Sequence, residues 1–241
     1  MASFRGKSFF RGKKIETPTI RTFYFDKPSG FQFIPGQHIV LRFTDLKGDP
    51  RGNMRQFSLT SDPENDLLSI TTKTVNRDSL YKKRLENLQP GDEVEIAGPI
   101  GNFVLDSSSE DLVLICGGIG ITPFISMLRH NLHNEERRKI ELIHSTGSKV
   151  ETPFYDEIGN MCSTMKNLTI HRFLTREMVE EEGIDNGRIT SEKLVRTIGN
   201  IAGKQFYVCG PPSFVKDVRE ILSEGMGVEE INIRSEDFYG Y

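Results

Sequence analysis

The sequence predicts two domains, a small closed β-barrel over residues 1–106 and an α/β domain with a parallel sheet over residues 111–241. Three observations carry this. The first half consists of short alternating runs broken by turn residues. The second half alternates strand and helix signals. The second half also opens on a continuous apolar run that ends in glycines.

In the first half, Ile39, Leu41 and Phe43 alternate with Val40 and Arg42. Leu68, Ile70 and Thr72 alternate with Ser69 and Thr71, and Val94 and Ile96 with Glu93 and Glu95. Period-2 alternation of this kind is a strand with one face turned inward. Pro28-Ser29-Gly30, Pro35-Gly36, Lys47-Gly48-Asp49, Pro90-Gly91-Asp92 and Gly98-Pro99 are turn signals between the strands. One helical piece interrupts near 79–88, where Leu80, Arg84, Leu85 and Leu88 fall at helical spacing. Several short strands with close turns suit a barrel.

The polar stretch Asp106-Ser107-Ser108-Ser109-Glu110 marks the boundary. Beyond it, strands are predicted at 112–116, 140–144, 168–173 and 206–209, and helices at 123–133, 153–159, 191–199 and 212–224. The run Leu112-Val113-Leu114-Ile115-Cys116 reads as a strand buried on both faces. Gly117-Gly118-Ile119-Gly120-Ile121-Thr122-Pro123 follows it. Thr122 suits a helix cap and Pro123 the first helical position. Strand, glycine turn and helix start together make an anion cradle, because unpaired N–H groups point out of a helix start; a nucleotide pyrophosphate suits it. Pro123 stands where the G-x-G-x-x-G dinucleotide fingerprint needs a small residue, and no Gly-Lys-Ser/Thr follows.

Charged residues make up 27% of the chain and hydrophobic ones 36%, which leaves enough apolar material for real cores. A formal charge of −3 gives no basis for nucleic-acid binding. No apolar run approaches a membrane-spanning length, and the basic Met1–Lys14 stretch lacks the apolar centre of a signal peptide, so the cytoplasm is the expected compartment. Cys116, Cys162 and Cys209 form no C-x-x-C pair, which speaks against a disulfide framework or a cysteine-held iron–sulfur cluster. The five histidines show no metal spacing, and His130 and His133 read as a solvated helix face.

Arg55-Gln56-Phe57-Ser58 lies in the β half. Alternate side chains of a strand point the same way, so Arg55 and Phe57 share a face that suits a phosphate beside a flat ring. The same residues also allow a plainer reading, an edge strand with a surface arginine and a core phenylalanine. Read together, the motifs resemble the ferredoxin–NADP reductase superfamily of flavoproteins, in the family's order and over nearly the whole chain. Pro35-Gly36-Gln37 matches its early P-G-Q turn, and Arg55-Gln56-Phe57-Ser58 is similar to its flavin motif R-x-Y-S/T. Pro90-Gly91-Asp92 and Gly98-Pro99-Ile100-Gly101-Asn102-Phe103 resemble two further turns. Gly117 to Pro123 resembles its G-G-x-G-x-T-P turn, Cys209-Gly210-Pro211-Pro212 its C-G-P motif, and Glu236-Asp237-Phe238-Tyr239-Gly240-Tyr241 its acidic–aromatic terminus.

The resemblance implies a Greek-key antiparallel barrel holding FAD and a Rossmann-like parallel sheet holding NADPH or NADH. It implies an NAD(P)H-dependent oxidoreductase that passes hydride to the flavin and then electrons to an acceptor such as a ferredoxin, a flavodoxin or an oxygenase component. An electron-transfer subunit of a larger complex and a flavin-binding scaffold or sensor are the alternatives. Arg55 would pair with the flavin pyrophosphate, a planar bidentate task that suits arginine. Phe57, where the family usually has tyrosine, would stack on the isoalloxazine, and Ser58 would hydrogen-bond near its reactive nitrogen. Ser79, Tyr81 and Lys82 would serve the phosphates, with Gln56 and Thr72 completing the flavin set.

Gly118, Gly120, Thr122, Pro123, Thr146, Gly210 and Pro211 would line the nicotinamide nucleotide. Cys209 would meet the nicotinamide, although most free cysteines are simply buried small hydrophobes. Glu236 would serve as a proton relay or orienting acid, and Phe238 or Tyr241 would cover the other flavin face. The strand end His144-Ser145-Thr146-Gly147-Ser148-Lys149 lacks the acidic residue often found in NADH sites. Arg176 and Arg188 add positive charge where NADPH-using relatives hold the 2′-phosphate, which favours NADPH.

Overall fold

A computed structural model describes residues 4–75, 79–106, 111–134 and 138–238. Tyr241 and residues 107–110, most of the boundary stretch, lie outside the described residues. Two compact units emerge: residues up to Leu105 together with Thr122–Asn131, and Asp106–Ile121 together with the chain from Leu132 onward.

The first unit is an antiparallel sheet of β1 (Phe4–Thr17), β2 (Ile20–Asp26), β3 (His38–Arg42), β4 (Met54–Ser58), β5 (Leu67–Lys73) and β6 (Glu93–Ile100) in the order β4-β3-β6-β1-β2-β5. The edges meet where Leu59, just past β4, bridges Ile70 of β5, and the Thr60 N–H donates to the Ser69 carbonyl at 2.8 Å. The sheet is thus closed, as the turn-rich sequence predicts. Ile39, Leu41, Val94 and Ile96 point inward, joining Phe10, Phe23, Phe25 and Phe43 in one core.

Strand β5 departs from the expected alternation, since Leu68 through Thr72 are all buried. Its second face is a ladder of hydroxyls: Thr71 meets Thr22 at 2.8 Å and Thr60 at 3.3 Å, and Ser69 meets Thr60 at 2.8 Å. Mutual hydrogen bonding offsets the cost of burying these polar side chains. The predicted helix is α1 (Leu80–Glu86), but its inward stripe is Tyr81, Leu85 and Leu88, while Leu80 is exposed.

Helix α2 (Thr122–His133) packs largely within this unit. The Ser126 hydroxyl donates to the Ser61 carbonyl at 2.7 Å, and Phe124 lies 5.7 Å from Phe103. His130 approaches Asp62 at 3.1 Å, so the face carrying it is not merely solvated.

The second unit is a fully parallel sheet of β7 (Asp111–Gly117), β8 (Lys139–Thr146), β9 (Leu168–Leu174), β10 (Ile184–Asn186), β11 (Gln205–Gly210) and β12 (Ile233–Asp237), ordered β10-β9-β8-β7-β11-β12. Its helices are α3 (Tyr155–Thr164), α4 (Ser191–Ile198) and α5 (Pro212–Glu220). β7 is buried along its length, as an apolar central strand must be. Helix α3 starts later than expected because Phe154 takes a left-handed turn, φ 58°, before it. The short edge strands β10 and β12 are additions to the sequence expectation. Among the described residues, no helix is long and apolar enough to cross a membrane.

Candidate functional site

In the first unit the structure brings together Arg55, Phe57, Thr72, Ser79, Tyr81 and Lys82. Arg55 and Phe57 share the inward side of β4, with Gln56 exposed on the other. The Arg55 guanidinium lies 4.8 Å over the Tyr81 ring, and the Lys82 ammonium 5.1 Å over the Phe57 ring. Tyr81 is a core residue whose hydroxyl donates to the Leu41 carbonyl at 2.8 Å, so its side chain is committed to the barrel core. Phe57 is 8% exposed and belongs to the barrel core, the plainer of its two sequence readings. Ser58 is buried at the end of β4, paired with His38.

Ser79 caps α1 by accepting from the Lys82 N–H at 3.2 Å, and the Lys82 ammonium donates to the Thr72 hydroxyl. Burial, reinforced by Arg55 and Arg51, lowers Lys82 from 10.5 to about 7. Asp49, which in the sequence is part of the Lys47-Gly48-Asp49 turn, faces this cluster with its carboxylate. Asp49 Oδ1 takes a 2.7 Å ion pair from Arg55 Nη2, and Oδ2 accepts from the Tyr81 N–H at 2.9 Å and the Ser79 hydroxyl at 3.4 Å. Burial opposes its ionisation, but hydrogen bonds from Tyr81, Arg51 and Arg55 outweigh it and hold the carboxyl at about 2.

In the second unit the glycine turn is more structured than an open cradle. Gly118–Ile121 forms a 3₁₀ turn that runs straight into α2. Thr122 is therefore inside the helical run rather than its cap, a correction to the sequence expectation, and both Thr122 and Pro123 are buried. The glycines serve different ends. A β-carbon on Gly120 would lie 2.3 Å from the Cys209 carbonyl oxygen, so Gly120 permits close packing of the turn on β11. Gly118 has φ +55° and would meet nothing within 4 Å, so its outer side is open. Gly210 is held close to Phe214 and Gly117.

His144, read from sequence only as a polar strand end, donates from Nε2 to the Gly118 carbonyl at 2.9 Å. A carbonyl only accepts, so the proton is on Nε2 and Nδ1 carries a lone pair; that Nδ1 is buried with no partner among the described residues. Burial, aided by Arg172, lowers His144 from 6.5 to about 4, so the ring is neutral.

Cys209 is 0% exposed, aligned with Cys116 on one side and Glu236 on the other. Its thiol is enclosed here, which matches its plainer reading. Glu236 sits on β12 rather than in a loose tail, and burial raises its carboxyl from 4.5 to about 7, with Oε2 lacking a partner among the described residues. The Phe238 N–H donates to the Gly210 carbonyl at 2.9 Å, which continues the β11–β12 pairing. Pro211 precedes α5 and is exposed. The Thr146 hydroxyl meets that of Thr152 at 2.6 Å. Arg176 pairs with Glu151 at 2.6 Å on the exposed surface, while Arg188 is exposed.

The chain matches the oxidoreductase FAD-binding domain family over residues 11–105 and the oxidoreductase NAD-binding domain family over residues 114–220. It is 29% identical to flavohemoprotein A of Dictyostelium discoideum, over 96% of this chain and 60% of that protein. It is 28% identical to the glycine betaine monooxygenase reductase subunit of Chromohalobacter salexigens, over 92% of this chain and 61% of that one. The chain thus spans about three fifths of the length of these curated relatives. In fold it resembles the flavohem-like FAD/NAD binding domain of nitric oxide dioxygenase from Vibrio cholerae, with a TM-score of 0.83 at 23% identity, covering 98% of this chain and 99% of that one. The barrel and parallel sheet, matched in order by a flavin-binding and a nicotinamide-nucleotide-binding family, establish that this chain belongs to the ferredoxin–NADP reductase-like superfamily of FAD- and NAD(P)-binding oxidoreductases.

Proposed function

We propose that this chain is an NAD(P)H-dependent flavoprotein reductase that delivers electrons to a separate acceptor centre, with residues 1–106 holding FAD and residues 111–241 the nicotinamide nucleotide. The observation that carries this reading is the buried cationic cluster of Arg55 and Lys82, with Arg51 close enough to depress Lys82 further. These cations face the carboxylate of Asp49. A site with that concentration of cationic side chains fits a dianionic pyrophosphate, which would restore the Lys82 ammonium. Bound FAD would supply hydride acceptance from NAD(P)H and onward electron release.

Arg55 and the main-chain N–H of Tyr81 would hold the phosphates, with Ser79 and Thr72 fixing Lys82. Phe57 and Ser58 bound the flavin side of the barrel, and Gln56 its outer rim. In the second unit, the open side of Gly118 would receive the nucleotide phosphates, held in place by neutral His144, while Gly120 and Gly210 keep the backbone compact. Thr122, Pro123, Thr146 and Pro211 act by shaping this turn and its flanks. Cys209 and Phe238 border the nicotinamide end, and Glu236, poised near neutrality, holds or releases a proton there. Arg188 remains the arginine suited to a 2′-phosphate, which supports NADPH.

The names of the relatives, a flavohemoprotein and a monooxygenase reductase subunit, support an acceptor on another domain or protein, with ferredoxin, flavodoxin and oxygenase components as the classes to test. Three free cysteines suit a reducing cytoplasmic setting. The test is purification followed by an anaerobic titration. A protein that carries stoichiometric FAD and bleaches with NADPH supports the proposal. A protein that binds FAD but is not reduced by either nucleotide is a scaffold instead.

A further inference from the structure

Asp49 occupies the donors that a flavin pyrophosphate would need. Its side chain is 2% exposed and that of Arg55 is 11% exposed, so the ion pair is largely shielded from water. Arg55 Nη1 donates to the carbonyls of Arg51, Gly52 and Met54 at 2.7–2.9 Å, which folds the segment 49–54 over the guanidinium. The Arg51 N–H also donates to Asp49 Oδ1 at 2.9 Å. The carboxylate therefore draws on a guanidinium, two main-chain N–H groups and the Ser79 hydroxyl. That is the donor set of a phosphate site, filled by the chain itself.

We propose that Asp49 is a built-in competitor for the flavin phosphates, which must leave Arg55 and Tyr81 before FAD is held there. Two like charges in a site shielded from water repel strongly, so carboxylate and pyrophosphate do not share these donors. The backbone offers a route for departure. Gly48 and Gly52, one on each side, have φ of +81° and +77°, and a β-carbon on Gly52 would meet nothing within 4 Å. Glycine visits either sign of φ readily, so the segment has a turn point before and after the carboxylate. Asp49 in this role sets flavin affinity and makes flavin uptake a gated step. This inference rests on the flavin site proposed above.

The test uses the full chain stripped of flavin and measures Kd for FAD, FMN and riboflavin by fluorescence quenching, with wild type, Asp49→Asn and Asp49→Ala. Asn keeps the shape and one acceptor, so it controls for loss of folding in the alanine variant. Both variants are expected to bind FAD about tenfold or more tightly and to associate faster. Riboflavin, which has no phosphate, is expected to bind all three alike. Weaker FAD binding by Asp49→Asn overturns the proposal, because Asp49 would then be orienting Arg55 for the phosphate. An equal gain for all three flavins overturns it too, since the loop would merely have loosened. No binding of any flavin by wild type or variants defeats the flavin site itself, a separate and recognisable outcome.

Discussion

Alanine at Gly118 and alanine at Gly120 are the same chemical change two residues apart, yet the structure assigns them opposite consequences. At Gly120 the new methyl would lie 2.3 Å from the Cys209 oxygen, 2.6 Å from its carbonyl carbon and 2.8 Å from the Gly210 α-carbon. All three are backbone atoms of β11, so no rotamer change relieves the contact. Carbon–carbon contact is comfortable near 3.5–4.0 Å, so turn and strand must part by roughly an ångström. Overpacking of this kind costs about 1–3 kcal/mol, and backbone on both sides puts Gly120→Ala at the upper end.

Gly118→Ala meets open space and suffers only the left-handed backbone, about 1–2 kcal/mol. Its methyl, however, stands on the side of the turn assigned to the nucleotide. Urea unfolding followed by circular dichroism measures the first effect, and the NADPH dependence of flavin reduction the second. Gly120→Ala is expected to lose more stability, and Gly118→Ala to raise the half-saturating NADPH concentration at modest cost in stability. A Gly120→Ala protein as stable as wild type refutes the packing argument. A Gly118→Ala protein with unchanged NADPH dependence refutes the nucleotide assignment.

Three further outcomes follow from the charged groups. His144 is depressed from 6.5 to about 4, so its contribution is present above pH 6.5 and is lost as pH falls toward 4; this is about 3 kcal/mol, and His144→Gln is expected to flatten the acid limb of a stability–pH curve. Glu236 is raised to about 7, so its protonated form supports the fold at low pH and the support fades as pH rises through 7. Glu236→Gln should therefore raise the melting temperature at pH 8 and leave it unchanged at pH 4; a uniform shift contradicts the burial of this carboxyl. Lys82 is depressed to about 7, so FAD binding at pH 8 is expected to take up a proton, measured by calorimetry in buffers of different ionisation enthalpy. Lys82→Met should abolish that uptake, and an unchanged proton count removes Lys82 from the phosphate site.

Much of this architecture was legible in the sequence because burial and period coincide. Ile39, Leu41, Val94 and Ile96 alternate and face one core, and 112–116 is apolar because β7 is a central strand buried on both faces. β12 was not legible, since Arg234, Ser235, Glu236 and Asp237 are polar residues on an edge strand held by main-chain bonds to β11. The buried hydroxyls of β5 looked like a solvent face for the same reason: periodicity registers polarity and is blind to partners. In the site, Arg55 and the glycine turn were visible as anion-binding chemistry. Asp49 was hidden inside a Lys-Gly-Asp turn signal, because its meaning comes from its pairing with Arg55 six residues on and with Tyr81, which is distant in sequence, and no periodic pattern encodes either contact. His144 was hidden likewise, its partner being the Gly118 carbonyl, and no side-chain pattern encodes a carbonyl.

The central claim is hydride transfer from a nicotinamide nucleotide to FAD on this chain. The most direct measurement is anaerobic stopped-flow bleaching of the flavin band with NADPH and with NADPH deuterated at the transferring position. Hydride transfer on this chain gives bleaching with both and a slower rate with deuterium. Bound flavin that stays oxidised under both reagents, and under NADH, would contradict it.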